Sequence, residues 1–295
     1  MKTCGHDIFV AAVFCQSILK TTLLILAFCF LADGSAMAQN SATTPVWQGG
    51  FSASVMKFDY TEFDQNNQIF NREHGTLPGV VAGVKRTKGA MQIQARLAYY
   101  RNDVRYDGQT QSGKPASSRT NESITDISLL LKGLVTEFSP ISSTLYGGLG
   151  YRHWRRDIQS TPTASGLLEF YQWPYWILGT TAGYHLGPKT SVQFDIQITR
   201  PIDPSMVVHF KNINLDSSEL ELGANLGGRI ALTWNQKITQ QLSISLEPYH
   251  QRWDLERSAA EPLKFNGIMV GGSVAQPRSE TRNSGLNFTI IYNFI

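Results

Sequence analysis

The last ten residues constrain the fold more than any other segment. Leu286-Asn287-Phe288-Thr289-Ile290-Ile291-Tyr292-Asn293-Phe294-Ile295 alternates apolar and polar side chains and ends among aromatics. A period of two puts Leu286, Phe288, Ile290, Tyr292 and Phe294 on one face of a strand, with Asn287, Thr289 and Asn293 on the other. One face suits lipid and the other a polar interior. Such a strand needs backbone partners on its edges, so it must be part of a larger sheet. The opposite terminus carries a complementary signal. Lys20 precedes an apolar run from Thr21 to Leu31, and Ala36-Met37-Ala38 has the small–x–small pattern of a signal-peptidase site. Export is therefore expected, with a signal peptide over 1–38 cleaved after Ala38.

The cysteines agree with export. Cys4, Cys15 and Cys29 all lie inside that leader. The mature chain is expected to have no disulfide framework, no thiolate nucleophile and no cysteine metal site. Phe28 is too large for the position before a lipidated cysteine, so Cys29 is not expected to be an anchor. Cleavage removes Lys2 and Lys20 from 26 basic residues, and Asp7 and Asp33 from 23 acidic ones, so the net charge stays at +3. That balance does not suggest a nucleic-acid partner. Beyond the leader no apolar stretch has the length of a membrane-spanning helix.

Periodicity decides the fold class. About ten amphipathic segments follow the leader, near 47–60, 77–87, 90–104, 122–137, 143–157, 168–186, 190–201, 218–234, 240–255 and 283–295. Met91, Ile93, Ala95, Leu97 and Tyr99 oppose Gln92, Gln94 and Arg96. Val192, Phe194, Ile196 and Ile198 oppose Gln193, Asp195 and Gln197. Leu220, Leu222, Leu226, Ile230, Leu232 and Trp234 are read as one apolar face, against Glu221, Asn225 and Arg229. The first two strands are less regular; Lys57 and Asp59 share the parity of Phe51, Ala53 and Val55.

The connections alternate in length. Short ones, such as Thr87-Lys88-Gly89 and Gly187-Pro188-Lys189, contain turn formers. Long polar ones cover about 61–76, 105–121, 158–167, 202–217 and 256–282. This is the pattern of an all-β, transmembrane, antiparallel up-and-down barrel threaded from the periplasm, occupying 39–295. Tyr99 and Tyr151 then fall near the outer rim, and Tyr184, Trp234, Tyr292 and Phe294 near the inner one, as an aromatic girdle requires. The expected location is the outer membrane of a Gram-negative envelope.

The other face is too polar for a sandwich core. It carries Arg96, Asp126, Lys132, Arg152, Asp195, Glu221, Arg229 and Glu247. Four bases and four acids balance, and buried charges persist only when paired. A structural salt-bridge network is expected in preference to an ion pathway, since a barrel this narrow is filled by its side chains. Glycines including Gly150 and Gly179 are expected at bends or under large neighbours.

The paired segments Tyr146-Gly147-Gly148-Leu149-Gly150-Tyr151-Arg152 and Tyr171-Gln172-Trp173-Pro174-Tyr175-Trp176-Ile177-Leu178-Gly179 resemble the central hairpin of omptins, ten-stranded outer-membrane proteases. The resemblance is architectural and covers the mature chain loosely. It implies a vase-like barrel with strands extended beyond the outer face. Omptin chemistry implies an acidic pair and an Asp-x-His pair on facing outer loops. Neither is found: Asp107 stands alone, and His209 and Asp216 lack the close spacing. The activity is not carried over.

Remaining candidates have bland readings. The scattered histidines show no metal-ligand spacing. His153, near Arg156 and Asp157, reads as a rim hydrogen bond, and Glu169, Tyr171 and Trp173 as wall packing. The sequence thus predicts a non-enzymatic barrel with a filled lumen and interacting surface loops, and no cofactor or metal. The rivals are a small porin-like channel and an omptin-like or lipopolysaccharide-modifying surface hydrolase. Expected partners are outer-membrane lipid, lipopolysaccharide and the barrel-assembly machinery; the extracellular ligand is unknown. Phe288, Ile290, Tyr292 and Phe294 are expected to act as the assembly signal.

Overall fold

Alternation this regular folds as strands that hydrogen-bond to their sequence neighbours. The computed structural model describes residues 44–109, 114–138, 140–162 and 164–294; the expected leader and cleavage site, with the three cysteines, lie outside them. Strands β1 (Val46–Phe63), β2 (Ile69–Lys88), β3 (Met91–Gln109), β4 (Pro115–Phe138), β5 (Ile141–Ile158) and β6 (Leu167–His185) form six consecutive staves. The seventh is broken into β7 (Thr190–Pro201) and β8 (Ser205–Phe210), both paired with β6. The eighth is broken into β9 (Ser218–Glu221), β10 (Gly223–Ala224) and β11 (Gly227–Lys237). The ninth is β12 (Leu242–Glu256). A hairpin, β13 (Glu261–Phe265) and β14 (Ile268–Val274), precedes the tenth, β15 (Arg278–Phe294). Antiparallel pairing of β15 with β1, from Trp47↔Phe294 to Phe63↔Arg278, closes a ten-stranded barrel.

Closure leaves no open edge at β15, which pairs with β12 on its other side. Its apolar side chains Phe288, Ile290, Tyr292 and Phe294 point outward and are exposed. Phe294→Asp is expected to reduce outer-membrane levels sharply, because it places a charge on the lipid face of the closing strand. Heat-modifiability on gels of outer-membrane fractions measures this. Wild-type amounts of folded barrel in the variant would rule out an assembly role.

The strands are much longer than a bilayer needs. β4 has 24 residues and β2 has 20, against roughly 9–11 for a tilted crossing. Their polarity changes along their length. Near the short turns the outward residues are apolar and exposed: Phe51 and Val55, Val80 and Val84, Leu97 and Tyr99, Ile127 and Leu131, Leu145 and Leu149. Farther along, the same parity becomes polar, with Lys57, Arg72, Arg101 and Arg105 exposed. Inward residues change the opposite way: Met56, Phe58, Tyr60, Val104, Ile124 and Trp154 are buried. The irregular parity of Lys57 and Asp59 is therefore not a register fault. The strand leaves the lipid belt after Val55 and continues in water, where the burial rule reverses. Trp47, Tyr184, Trp234 and Tyr292 are exposed at the short-turn edge of the belt, and Tyr99 at the other.

Two expectations are corrected. First, three of the long polar connections, 61–76, 105–121 and 256–282, are mostly strand. β1 and β2 run on to a tight turn, where Asp64 Oδ1 accepts from the amides of Asn66 and Gln68, both at 2.8 Å. A polar outer face with a mixed inner face read as loop because it lacks the lipid-facing apolar series. Second, Glu221 does not face the lumen. On β9, Leu220 is buried and Glu219 and Glu221 are exposed. This segment lies in the extension, so its apolar face turns inward. The breaks around β10 separate that phase from the lipid-facing series Ile230, Leu232 and Trp234 on β11.

Candidate functional site

Two polar layers occupy the barrel, one inside the lipid belt and one beyond it. The outer layer centres on Arg156 of β5, which is fully buried. Its Nη1 donates to Glu169 Oε2 at 2.6 Å, Glu62 Oε1 at 3.3 Å and the hydroxyls of Tyr171 at 3.0 Å and Tyr60 at 3.2 Å. Nη2 donates to Glu73 Oε1 at 2.9 Å. Glu122 Oε1 lies 3.8 Å from Nε. The guanidinium also sits over the Tyr60 ring, 4.2 Å from its centre. Trp154 packs edge-on against Phe58 and Tyr60 and stacks on Tyr171, with its indole N–H on Glu122. Gln276 donates to Tyr60 and Glu62, and Asn71 to Glu62. Side chains of β1, β2, β4 and β6 thus converge on one guanidinium of β5, within a buried cluster that also holds Trp173, Trp253, Met206 and Leu220.

Four carboxyls around one cation cannot all be ionised in a dry interior. Burial, followed by the charge of Glu73, pushes the Glu122 carboxyl well above the usual range. Burial, with Glu62 and Glu73, raises Glu169 to about 7 against the pull of Arg156. Glu73 moves down: burial opposes its charge, but Arg156, Glu122 and Thr120 together outweigh that. Glu73 Oε2 and Glu122 Oε1 are the buried carboxylate oxygens of this cluster left without a hydrogen-bond partner. A proton held on Glu122 and donated to Glu73 satisfies both.

The inner layer holds most of the residues foreseen as a network. Arg229 Nη2 donates to Glu247 Oε1 at 2.6 Å, and Nη1 lies 3.8 Å from Asp195. Tyr146 and Thr181 donate to Asp195 Oδ2 at 2.8 and 2.9 Å, and Asn287 to Glu247 at 2.7 Å. Arg152 reaches Asp126 at 3.3 Å, and Tyr175 donates to the same carboxylate at 2.7 Å. Lys132 sits over the Tyr146 ring at 4.7 Å. Arg96 lines the same space without closing on a carboxylate. The structure therefore brings Asp126 to Arg152, and Asp195 and Glu247 to Arg229, while Glu221 stands outside.

Glycines make room for the tyrosines between the layers. An added Cβ would meet the Tyr100 ring 2.4 Å from Gly79, Tyr175 2.2 Å from Gly150, and Tyr249 2.6 Å from Gly285. Tyr100 and Tyr249 share a hydroxyl contact of 3.1 Å. These rings, with Arg152 over Trp173 and Trp253, separate the inner cavity from the Arg156 layer.

The Arg156 cluster was not foreseen as a unit. A signal existed: Tyr60, Glu62, Glu73, Glu122, Arg156, Glu169 and Tyr171 share inward parity once the strands are extended past the belt. At the outer end, His209 Nδ1 contacts Ser217 Oγ at 2.6 Å, and Asp216 accepts from the backbone of Asn266 and Gly267. Asp107 accepts from Ser117 and Arg105. These loop groups do not assemble into the acidic pair and Asp-x-His pair of omptins.

No family model and no curated sequence matches the chain. Among solved structures, a major outer membrane protein of Thermus thermophilus is 12% identical, covering 83% of this chain and 99% of that one, with a TM-score of 0.39. OprG of Pseudomonas aeruginosa is 9% identical, with 88% and 99% coverage and a TM-score of 0.37. The outer membrane protease OmpT of Escherichia coli is 10% identical, with 88% and 100% coverage and a TM-score of 0.58. The chain is thus a closed ten-stranded antiparallel barrel of the outer-membrane type, similar in fold to OmpT along that protein's whole length.

Proposed function

We propose that this protein is a non-enzymatic outer-membrane barrel, sealed beyond the lipid belt, that displays its extended strands and loops at the cell surface. The Arg156 layer carries the reading. Its charged side chains are almost wholly buried and are contributed by β1, β2, β4, β5 and β6. Ions would have to cross that layer, and a dry, hydrogen-bonded cluster offers them no hydrated path. The same burial argues against a surface hydrolase working there, since substrate and water have no access to Glu73 and Glu122.

The partners follow from the outer wall. Lys57, Arg101 and Arg155 point outward just beyond the apolar belt, where lipopolysaccharide phosphates lie, and Arg72 and Arg105 point outward farther along. β15 is the strand offered to the assembly machinery. Purified wild-type protein in planar bilayers is expected to show no steady conductance. Stable, reproducible single-channel steps would overturn the sealed reading in favour of the porin-like one.

A further inference from the structure

The inner layer leaves positive charge over, and that surplus points to a ligand. The cavity inside the belt has a volume of about 430 Å³ and reaches from the short-turn end, at Gln48, Gln92 and Asn235, to Asp126 and Tyr175. This falls within the roughly 300–1,000 Å³ of small-molecule sites. Its carboxylates are already committed: Asp126 to Arg152, and Asp195 and Glu247 to Arg229. Lys85, Arg96 and Lys132 also line the cavity, and none forms an ion pair among the described residues. Four cations of the lining, with Arg152 behind Asp126, therefore stand against three carboxylates.

The surplus is gathered on one wall. Lys85 is on β2, Arg96 on β3 and Lys132 on β4, and these strands are neighbours. Lys85 pairs in register with Gln94, two residues from Arg96, and Lys132 pairs with Gln92. Three inward cations thus lie within a few residue steps, interleaved with glutamine amides. They face the side of the barrel that carries Tyr146 and Asp195. A cluster of like charges in a half-enclosed, lipid-jacketed space raises the energy of the empty barrel and focuses positive potential on the cavity.

We propose that this cavity is a binding site for a small, doubly charged oxyanion, of the phosphate class, entering from the short-turn end and held by Lys85, Arg96 and Lys132. Two negative charges match the surplus. The ammonium groups and the guanidinium supply charge-assisted donors, and Arg96 supplies a planar fork. The Arg156 layer blocks escape at the opposite end, so the site is a blind pocket, distinct from a pore.

Titration calorimetry on the purified, detergent-solubilised barrel at low ionic strength tests the proposal, with inorganic phosphate as the probe. Saturable binding is expected in wild type. Lys85→Gln and Lys132→Gln should each weaken it about tenfold or more, the loss of one charge-assisted contact. Lys264→Gln, on the β13–β14 hairpin, should leave it unchanged. Sodium chloride at matched ionic strength should give no saturable heat. Absence of phosphate binding, or equal binding by the lysine variants, would overturn the proposal. A second measurement needs no ligand. If the charges are uncompensated, Lys85→Gln combined with Lys132→Gln should raise the unfolding temperature of the phosphate-free barrel; a lower temperature, or failure to fold, counts against the site.

Discussion

Arg156→Leu is expected to destabilise the barrel by about 3–5 kcal/mol and to open a leak through it. Removing one partner of a buried ion cluster leaves the others charged and unpaired, which is costlier than the cluster itself. Here the orphaned charges are Glu62 and Glu73, and Glu169 loses its donor, each within 3.3 Å of the guanidinium. Two tyrosine hydroxyls lose a donor as well. Against a total stability of roughly 5–15 kcal/mol for a domain, this is a large fraction. Arg156→Lys should rescue little, because an ammonium cannot reach as many acceptors as a planar fork with five donors. Urea unfolding followed by heat-modifiability gives the energetic term, and planar-bilayer recording gives the leak. A variant with a wild-type midpoint and a silent bilayer would show that the seal lies elsewhere.

The second large effect is a loss of stability as pH rises from about 5 to 8. Glu169 carries its proton up to about 7 in the folded barrel, against an ordinary value of 4.5. A carboxyl raised in this way adds stability that is fully present below the ordinary value and is lost as pH climbs through the folded one. The shift corresponds to roughly 3 kcal/mol. Glu122, raised by burial and by the charge of Glu73, contributes with the same sign. Glu73 has the opposite sign: its lowered value stabilises above the usual carboxylate range and is lost on acidification. The two limbs place the optimum in weak acid. Unfolding midpoints across this range measure the slope. Glu169→Gln should flatten it between pH 5 and 8, because the amide oxygen still accepts from Arg156 and there is no proton to lose. An undiminished slope in that variant would assign the effect to another group.

Both predictions concern residues beyond the lipid belt, where the sequence was hardest to interpret. Inside the belt, alternation translates directly into structure, because lipid demands apolar side chains at every second position. Arg229 with Glu247, and Arg152 with Asp126, were legible as luminal charges for that reason. Beyond the belt the rule inverts. Leu220 and Leu222 turn inward and Glu221 outward, so parity alone assigned the wrong face. Glu169, Tyr171 and Trp173 were expected to pack in the wall near the outer mouth, and they are buried there. What parity could not supply was their convergence on Arg156, which depends on registers such as Arg156↔Glu169 across β5 and β6. Pairing across the barrel, from Tyr60 to Arg156, is a property of closure and leaves no local trace in either segment.

The change of polarity along each strand also fixes how deep the molecule can sit. A barrel whose outer face is uniformly greasy can bob along the membrane normal at little cost. Here every step of about 3 Å toward the cell interior would drag a ring of charge into hydrocarbon. Lys57 follows Val55, Arg101 follows Tyr99, and Arg282 precedes Leu286 along their strands. A basic side chain at the midplane of a membrane barrel costs about 2–4 kcal/mol. Displacement the other way would strip lipid from Val55, Tyr99 and Leu149 and draw Trp47, Trp234 and Tyr292 off the inner interface into hydrocarbon. The protein is held between a charged flange and an aromatic footing, so a pull on its surface hairpins is transmitted to the envelope instead of being absorbed by sliding.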